Sequence, residues 1–394
     1  MQRRSENILN FLIFFCFGTS GLLRWISLSA LNADMSLFYI KFYDYFAEHG
    51  FSALGDNFSL GTPLYLYLVW LATLTRNFVS PLIALKLESM MFDLISAIAI
   101  YKIVKLRFKE GKIPLLATAI FLLLPTVIMN SSLWGQIDSL YASFLLLCIY
   151  FLLTDRPILA MLAFGVSISF KLQACFIVPF LMIMTFKKRI LWYHFFIPIL
   201  VYMVTIIPAV LAGKPLLDAL TLYLAWTGIA NAPALNAPNW YSLATVPPFY
   251  VDWAITINIG LVFAAFSILL WIFLYARKQY VINKDVIILS ALVGFALVPF
   301  VLPKMHDRYF YMADILSLVL VFYYPAYWFL PIFYQVASGI VYYNFLFSVD
   351  PGEYFVRFMI SALFTTIALI VLLAKQHLET NQSPEYLPGT TPLN

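Results

Sequence analysis

Five short polar stretches interrupt a sequence that is otherwise apolar, and their side chains are of kinds that move protons and face anions. The first carries Asp34, Asp44, Glu48, His49 and Asp56. The second, Leu133–Ser139, reads LWGQIDS and offers Trp134, Gln136 and Asp138. Phe170–Gln173 reads FKLQ, with Lys171 and Gln173. Asn236–Tyr241 reads NAPNWY, with Asn239 and Trp240. Pro303–Tyr309 reads PKMHDRY, with His306, Asp307 and Arg308. A carboxylate in such a set can serve as a general base, and cations held beside it can stabilise negative charge as it develops.

Each of these residues also has a plainer reading. Asp34 follows Asn32 and precedes an amphipathic run, so it can be a helix N-cap. Lys171 can extend its ammonium to lipid headgroups. His306–Arg308 can be a solvated turn, and Trp134 and Trp240 can be interfacial aromatics. Asp93 lies within an apolar run and needs a partner or a wet cavity. Arg24 and Lys86 are the cations within reach for a structural pair.

The elements that must position these groups are helices in a membrane. Of 394 residues, 63% are hydrophobic and only 11% are charged, with mean hydropathy +0.89. A soluble chain of this size needs far more polar surface. Apolar runs recur that are long enough to cross about 30 Å of hydrocarbon as helices. They lack the apolar/polar alternation of membrane barrel strands. The expected fold is therefore an all-α polytopic transmembrane bundle. Twelve spans are predicted, at 8–30, 82–104, 113–130, 138–153, 158–170, 174–186, 191–211, 253–275, 285–302, 309–324, 326–346 and 355–374. The pieces 158–170 and 174–186 are short and predicted to be tilted or broken around Lys171. The first helix is read as retained, because no small-residue cleavage site follows it. Cys16, Cys148 and Cys175 all fall in apolar segments and read as small buried hydrophobes, with no disulfide or metal framework.

Charge orients the bundle. Arg3, Arg4, the five basic residues of Lys102–Lys112, Arg156, Lys187–Arg189, Arg277, Lys278, Lys284 and Lys375 fall on one side. They make up fifteen of the 24 Lys and Arg residues. The positive-inside rule makes that side cytoplasmic. The net charge of +5 thus belongs to loops between spans and does not point to nucleic acid. Thr62–Val79 is apolar enough to cross, but crossing would carry Lys102–Lys112 outside. It is predicted to be a re-entrant or membrane-surface helix of a long first outer loop, about 31–81. A second outer loop covers about 212–252. Residues 1–375 then form a single domain and 376–394 a polar cytoplasmic tail. All five polar stretches face outward, while the inner loops hold mainly basic residues and turn formers.

These stretches, taken in order, resemble the GT-C superfamily of integral membrane glycosyltransferases. Within it the sequence is most similar to bacterial proteins related to the second mannosyltransferase of GPI-anchor assembly. The resemblance rests on Arg24, Asp34, Gly61–Tyr67 (GTPLYLY), Asp93, LWGQIDSLYA from Leu133, FKLQ from Phe170, NAPNWY from Asn236 and KMHDRYFYMADIL from Lys304. It covers about residues 20–320. Two departures stand out: Ala33–Asp34 where a Gly–Asp pair is common, and His306–Asp307–Arg308 where HER or HEK is usual.

The resemblance implies an inverting transfer of a hexose such as mannose from a polyprenyl-phosphate carrier to a glycan, lipid or protein acceptor. The site would face the outer side of a prokaryotic plasma membrane. It implies Asp34 as catalytic base and Lys171, His306 and Arg308 as ligands of the donor phosphate. Trp134, Gln136, Asp138, Gln173, Asn239 and Trp240 become candidates for substrate contact. No cofactor is required, although Asp34 with Asp138 can hold one divalent cation. Two other classes compete. A transporter or lipid-linked sugar flippase would want charges near the midplane and a gate on the inner side. A non-catalytic subunit of a glycosyltransferase complex would tolerate loss of Asp34.

Overall fold

The computed structural model describes residues 2–226, 231–247, 249, 251–347 and 354–381. Helices account for most of them, as expected where the backbone must satisfy its own hydrogen bonds in hydrocarbon. In chain order these are α1 (Gln2–Ser27), α2 (Ile40–His49), α3 (Pro63–Thr73), α4 (Pro81–Lys105), α5 (Ile113–Leu123), α6 (Pro125–Ile128), α7 (Asp138–Leu153) and α8 (Pro157–Phe170). They continue with α9 (Val178–Phe186), α10 (Phe196–Leu211), α11 (Leu216–Trp226), α12 (Trp253–Arg277), α13 (Lys284–Val301), α14 (Tyr311–Tyr323), α15 (Phe329–Phe347) and α16 (Tyr354–Asn381).

Local chemistry sets many of the ends. Proline opens α3, α4, α5, α8 and α9 in the first turn, where its missing N–H costs nothing. Asp252 caps α12 by accepting from the Ile255 amide at 2.9 Å, and Asn283 caps α13 by accepting from Val286 at 2.9 Å. Pro125 ends α5 and bends the chain by 54° into α6 and a π-helical turn, Met129–Trp134.

Each interval predicted as a span is mostly helical. The number that qualify as spans by length and composition is smaller than twelve. Five do so: Glu6–Ser27, Trp192–Leu211, Trp253–Arg277, Lys284–Val301 and Tyr354–Asn381. The bent pair Ile113–Leu123 and Pro125–Trp134 makes a sixth. The others fall short for physical reasons. α4 carries Lys86, Glu88 and Asp93 within its apolar run. α7, α8 and α14 have 16, 14 and 13 residues and lie largely buried among neighbours. The window tested in α13 is 83% buried, against 22% in α1, α10 and α12. So α13 sits at the centre, and the other three present apolar faces outward, as lipid contact requires.

α3 has eleven residues, about 16 Å of helix, and is too short to cross. Four short elements precede α4 within 31–81: a π-helical turn over Met35–Tyr39, α2, a 3₁₀ turn over Gly50–Gly55, and α3. The chain breaks at Lys171, which is extended (φ −158, ψ 137) between α8 and a 3₁₀ turn, Leu172–Ile177. One feature has no helical signature: β1 (Ala234–Leu235) pairs in parallel with β2 (Met305–His306). Residues 376–381, read as the start of the tail, continue α16 instead. The rest of that tail and parts of the 212–252 loop lie outside the described residues. Cys16 and Cys148 are buried and Cys175 is half-buried, which leaves little background for thiol labelling.

That last point makes the charge-based orientation testable. Lys109 is exposed between α4 and α5. Lys109→Cys is expected to resist a membrane-impermeant maleimide on intact cells and to react after permeabilisation. Labelling from outside would invert the orientation.

Candidate active site

Asp34 opens a π-helical turn, Met35–Tyr39, but does not cap it. Asn32 does: its Oδ1 accepts from the Met35 amide at 3.1 Å, and its Nδ2 donates to the Trp134 carbonyl at 2.7 Å. Asp34 is thereby freed for another use. Its Oδ2 accepts from Trp134 Nε1 at 3.0 Å and from Gln136 Nε2 at 2.6 Å. Its Oδ1 has no hydrogen-bond partner among the described residues. The Gln136 Oε1 accepts from the Tyr39 hydroxyl at 3.0 Å, closing the ring back to the same turn.

Gly135 makes this arrangement possible. It ends the Met129–Trp134 turn in the left-handed region at φ 77, which lets both of its neighbours reach Asp34. A Cβ at Gly135 would lie 2.8 Å from Met35 Sδ and 3.1 Å from Lys86 Cγ, so a side chain there is excluded twice over. Lys86 does not pair with Asp93, as sequence proximity in α4 suggested. It donates to the carbonyls of Ser27 and Ala30 at 2.9 and 2.6 Å, fastening the end of α1. Asp93 pairs with Arg24 alone, at 2.7 Å. Arg24 also donates to Ser131 at 2.8 Å, within the turn that carries Trp134. A structural pair thus underlies the site.

Asp138 begins α7 and is fully buried. Its Oδ1 meets Lys171 Nζ at 2.5 Å, and its Oδ2 accepts from Asn130 at 3.0 Å. Arg308 Nε lies 3.6 Å from the same Oδ2, too far for a hydrogen bond, and is buried without a partner. The Arg308 guanidinium stands over the Trp134 ring, 5.4 Å from its centroid. The indole therefore has Asp34 at its N–H edge and Arg308 at its face. Lys171 and Arg308 close on Asp138, with side chains only 13% and 16% exposed.

The β1–β2 pair aims Arg308. Lys304 donates its amide to Pro233 and Asp307 to Leu235, at 2.6 and 2.9 Å, so the NAPNWY loop holds the HDR turn. Within that turn, burial and the charges of Arg308 and Lys171 lower the His306 pKa to about 3. His306 is thus a neutral imidazole and not the third cation of the expected set. Burial also lowers the Lys171 pKa, against the opposing pull of Asp138, to about 8, so it is charged at neutral pH.

The candidate contacts separate into two groups. Trp134, Gln136 and Asp138 join the network directly. Gln173 sits beside it, with a buried Oε1 that has no partner among the described residues. Asn239 and Trp240 do not join. Asn239 donates to the Pro299 carbonyl at 3.0 Å and accepts from the Tyr241 amide at 3.1 Å. Trp240 Nε1 donates to Thr366 on α16 at 2.7 Å. Both fasten the loop. Asp138, considered with Asp34 for a divalent cation, faces Lys171 and Arg308. Among the described residues no three His, Cys, Asp or Glu gather around a common point.

Four contributors escaped the sequence reading. Asn32, Asn130 and Tyr39 are common polar residues with no motif to mark them. Asp307 was visible between His306 and Arg308 but was read only as part of the motif. Glu88 is a fifth polar oddity: its Oε1 is buried without a partner in α4. No protein-family model matches the chain, and comparison with curated proteins finds no match.

Proposed function

We propose that the protein is an inverting glycosyltransferase that moves a hexose from a polyprenyl-phosphate carrier to an acceptor hydroxyl. The observation that carries this reading is the shared indole of Trp134, with a carboxylate at one edge and a cation at its face. Inverting transfer from a lipid phosphate needs those two functions side by side. The acceptor oxygen attacks the anomeric carbon, and its proton passes to Asp34 Oδ1. The bond from that carbon to the phosphate oxygen breaks, and the electron pair leaves with polyprenyl phosphate. Lys171 and Arg308 meet the charge that grows on the phosphate. Asp138 holds both cations until the donor arrives. The short helices of 31–81 would lie on the outer membrane surface, and the lipid tail would run along the bundle.

The direct test uses purified protein in lipid nanodiscs with a hexosyl-phosphoryl polyprenol. Release of polyprenyl phosphate, and a product anomer opposite to that of the donor, are the expected results. Retention of the anomer, or transport of the intact donor without cleavage, would overturn the reading. Arg308→Ala is expected to weaken donor binding about 10–100-fold, the worth of one or two charge-assisted hydrogen bonds. It should also lower kcat, because the phosphate gains charge toward the transition state. Arg308→Lys should recover part of the binding, since charge remains and only the planar fork is lost. Donor affinity unchanged in Arg308→Ala would remove Arg308 from the phosphate site.

A further inference from the structure

The charges around Asp138 do not balance for an incoming anion. Three carboxylates share the cluster: Asp34 from the first loop, Asp138 at the head of α7 and Asp307 in the turn before α14. Two cations face them, Lys171 and Arg308, and His306 is neutral. The phenols of Tyr39, Tyr309 and Tyr342, which also border it, carry no charge near neutral pH. With all three carboxylates ionised, the cluster is one negative charge in excess. A phosphodiester would add another in a largely desolvated place, where like charges repel strongly.

The partners of each carboxylate decide which one must yield. Asp138 has Lys171 at 2.5 Å and Asn130 at 3.0 Å. Asp34 has two donors and is only half-buried. Asp307 is 2% exposed, and among the described residues Arg308 is its one ion-pair partner. Asp307 Oδ1 accepts from the Arg308 amide at 2.9 Å and lies 3.6 Å from the guanidinium. A phosphate that engages Arg308 therefore takes from Asp307 the one cation within ion-pair distance of it among the described residues.

Resting on the lipid-phosphate reading, we propose that the cluster binds its phosphate together with one proton, and that Asp307 is the group that accepts it. The proton comes from solvent and converts the Asp307 carboxylate to the acid, and no bond of the ligand changes. The residue is poised for this. Burial, opposed by Arg308, already raises its pKa to about 7 in the ligand-free protein. Loss of Arg308 as a partner raises it further. The sign of the linkage follows: affinity is full below about pH 7 and falls as pH rises, until the pKa of the bound state is reached.

The test uses radiolabelled methyl farnesyl phosphate, a phosphodiester that does not titrate between pH 5 and 9, and the full chain in phosphatidylcholine nanodiscs. The expected Kd is flat near pH 6 and rises toward about tenfold per pH unit above pH 7. In Asp307→Asn the low-pH affinity should persist to pH 7.5. A loss remaining above about pH 8 belongs to Lys171. Calorimetry of the unmodified protein at pH 7.5, in two buffers of different ionisation enthalpy, should show uptake of most of one proton per ligand bound. This second measurement needs no variant. Equal Kd at pH 6 and 7.5, no proton uptake, or an unchanged slope in Asp307→Asn would each overturn the proposal while leaving a lipid-phosphate site intact. Failure of the unmodified protein to bind the probe at any pH would overturn both.

Discussion

Asp34→Asn is expected to lower hexosyl transfer by about 10²–10⁴-fold, the usual worth of a general base, while donor binding stays within a few-fold. Asparagine has the same shape, and its amide oxygen can still accept from Trp134 and Gln136. What it lacks is a basic oxygen in place of the unpartnered Oδ1. The acceptor proton then has no destination as the new glycosidic bond forms. Because the effect falls on chemistry, kcat should drop and the donor dissociation constant should not. Asp44 supplies the control. It lies ten residues further along, exposed on α2, outside the Trp134–Gln136 network. Asp44→Asn should keep activity within a few-fold. The reverse pattern would move the base to Asp44. Full activity in both variants would remove this loop as the source of the base.

The second large effect concerns stability. Arg24 and Asp93 pair at 2.7 Å with side chains 8% and 1% exposed, and Tyr311 reaches the other Asp93 oxygen at 3.5 Å. Removing one member strands the other charge away from water. Arg24→Leu is expected to cost about 3–5 kcal/mol, read as a lowered unfolding temperature in detergent. The double variant Arg24→Leu with Asp93→Leu should regain most of that, because two apolar side chains replace a desolvated pair. Activity should not return with stability, since Arg24 also holds Ser131 in the turn that presents Trp134. A double variant no more stable than the single one would show that the pair does more than neutralise charge.

The helices were legible in the amino-acid sequence because their cause is local. An apolar run in hydrocarbon has no partner for its peptide groups except itself. Runs such as 253–275 and 285–302 accordingly appear as α12 and α13 with ends shifted by only one or two residues. Lys171 was equally readable as a break, whereas Pro125 lay inside the predicted 113–130 span and its 54° bend was not foreseen. The number of helices that cross was not. It depends on which neighbours bury α7, α8 and α14, and burial is a property of the packed bundle.

The same division runs through the candidate site. Side-chain chemistry alone singled out Asp34, Trp134, Gln136, Asp138, Lys171 and Arg308, because polar groups that expensive are not retained in an apolar chain without a task. Only the tertiary structure assigned their partners. Asn32 rather than Asp34 caps the Met35–Tyr39 turn, since one hydrogen-bond geometry wins over its neighbour two residues away. Asn239 and the Trp240 indole N–H fasten a loop, which a two-residue strand pair draws against the HDR turn. His306 loses its charge to burial and to two cations that are 135 and two residues away in sequence. Composition determines that a chain like this one folds as apolar helices with a few costly polar groups. Which of those groups meet is decided by contacts between distant segments, and desolvation then sets the charge each one carries.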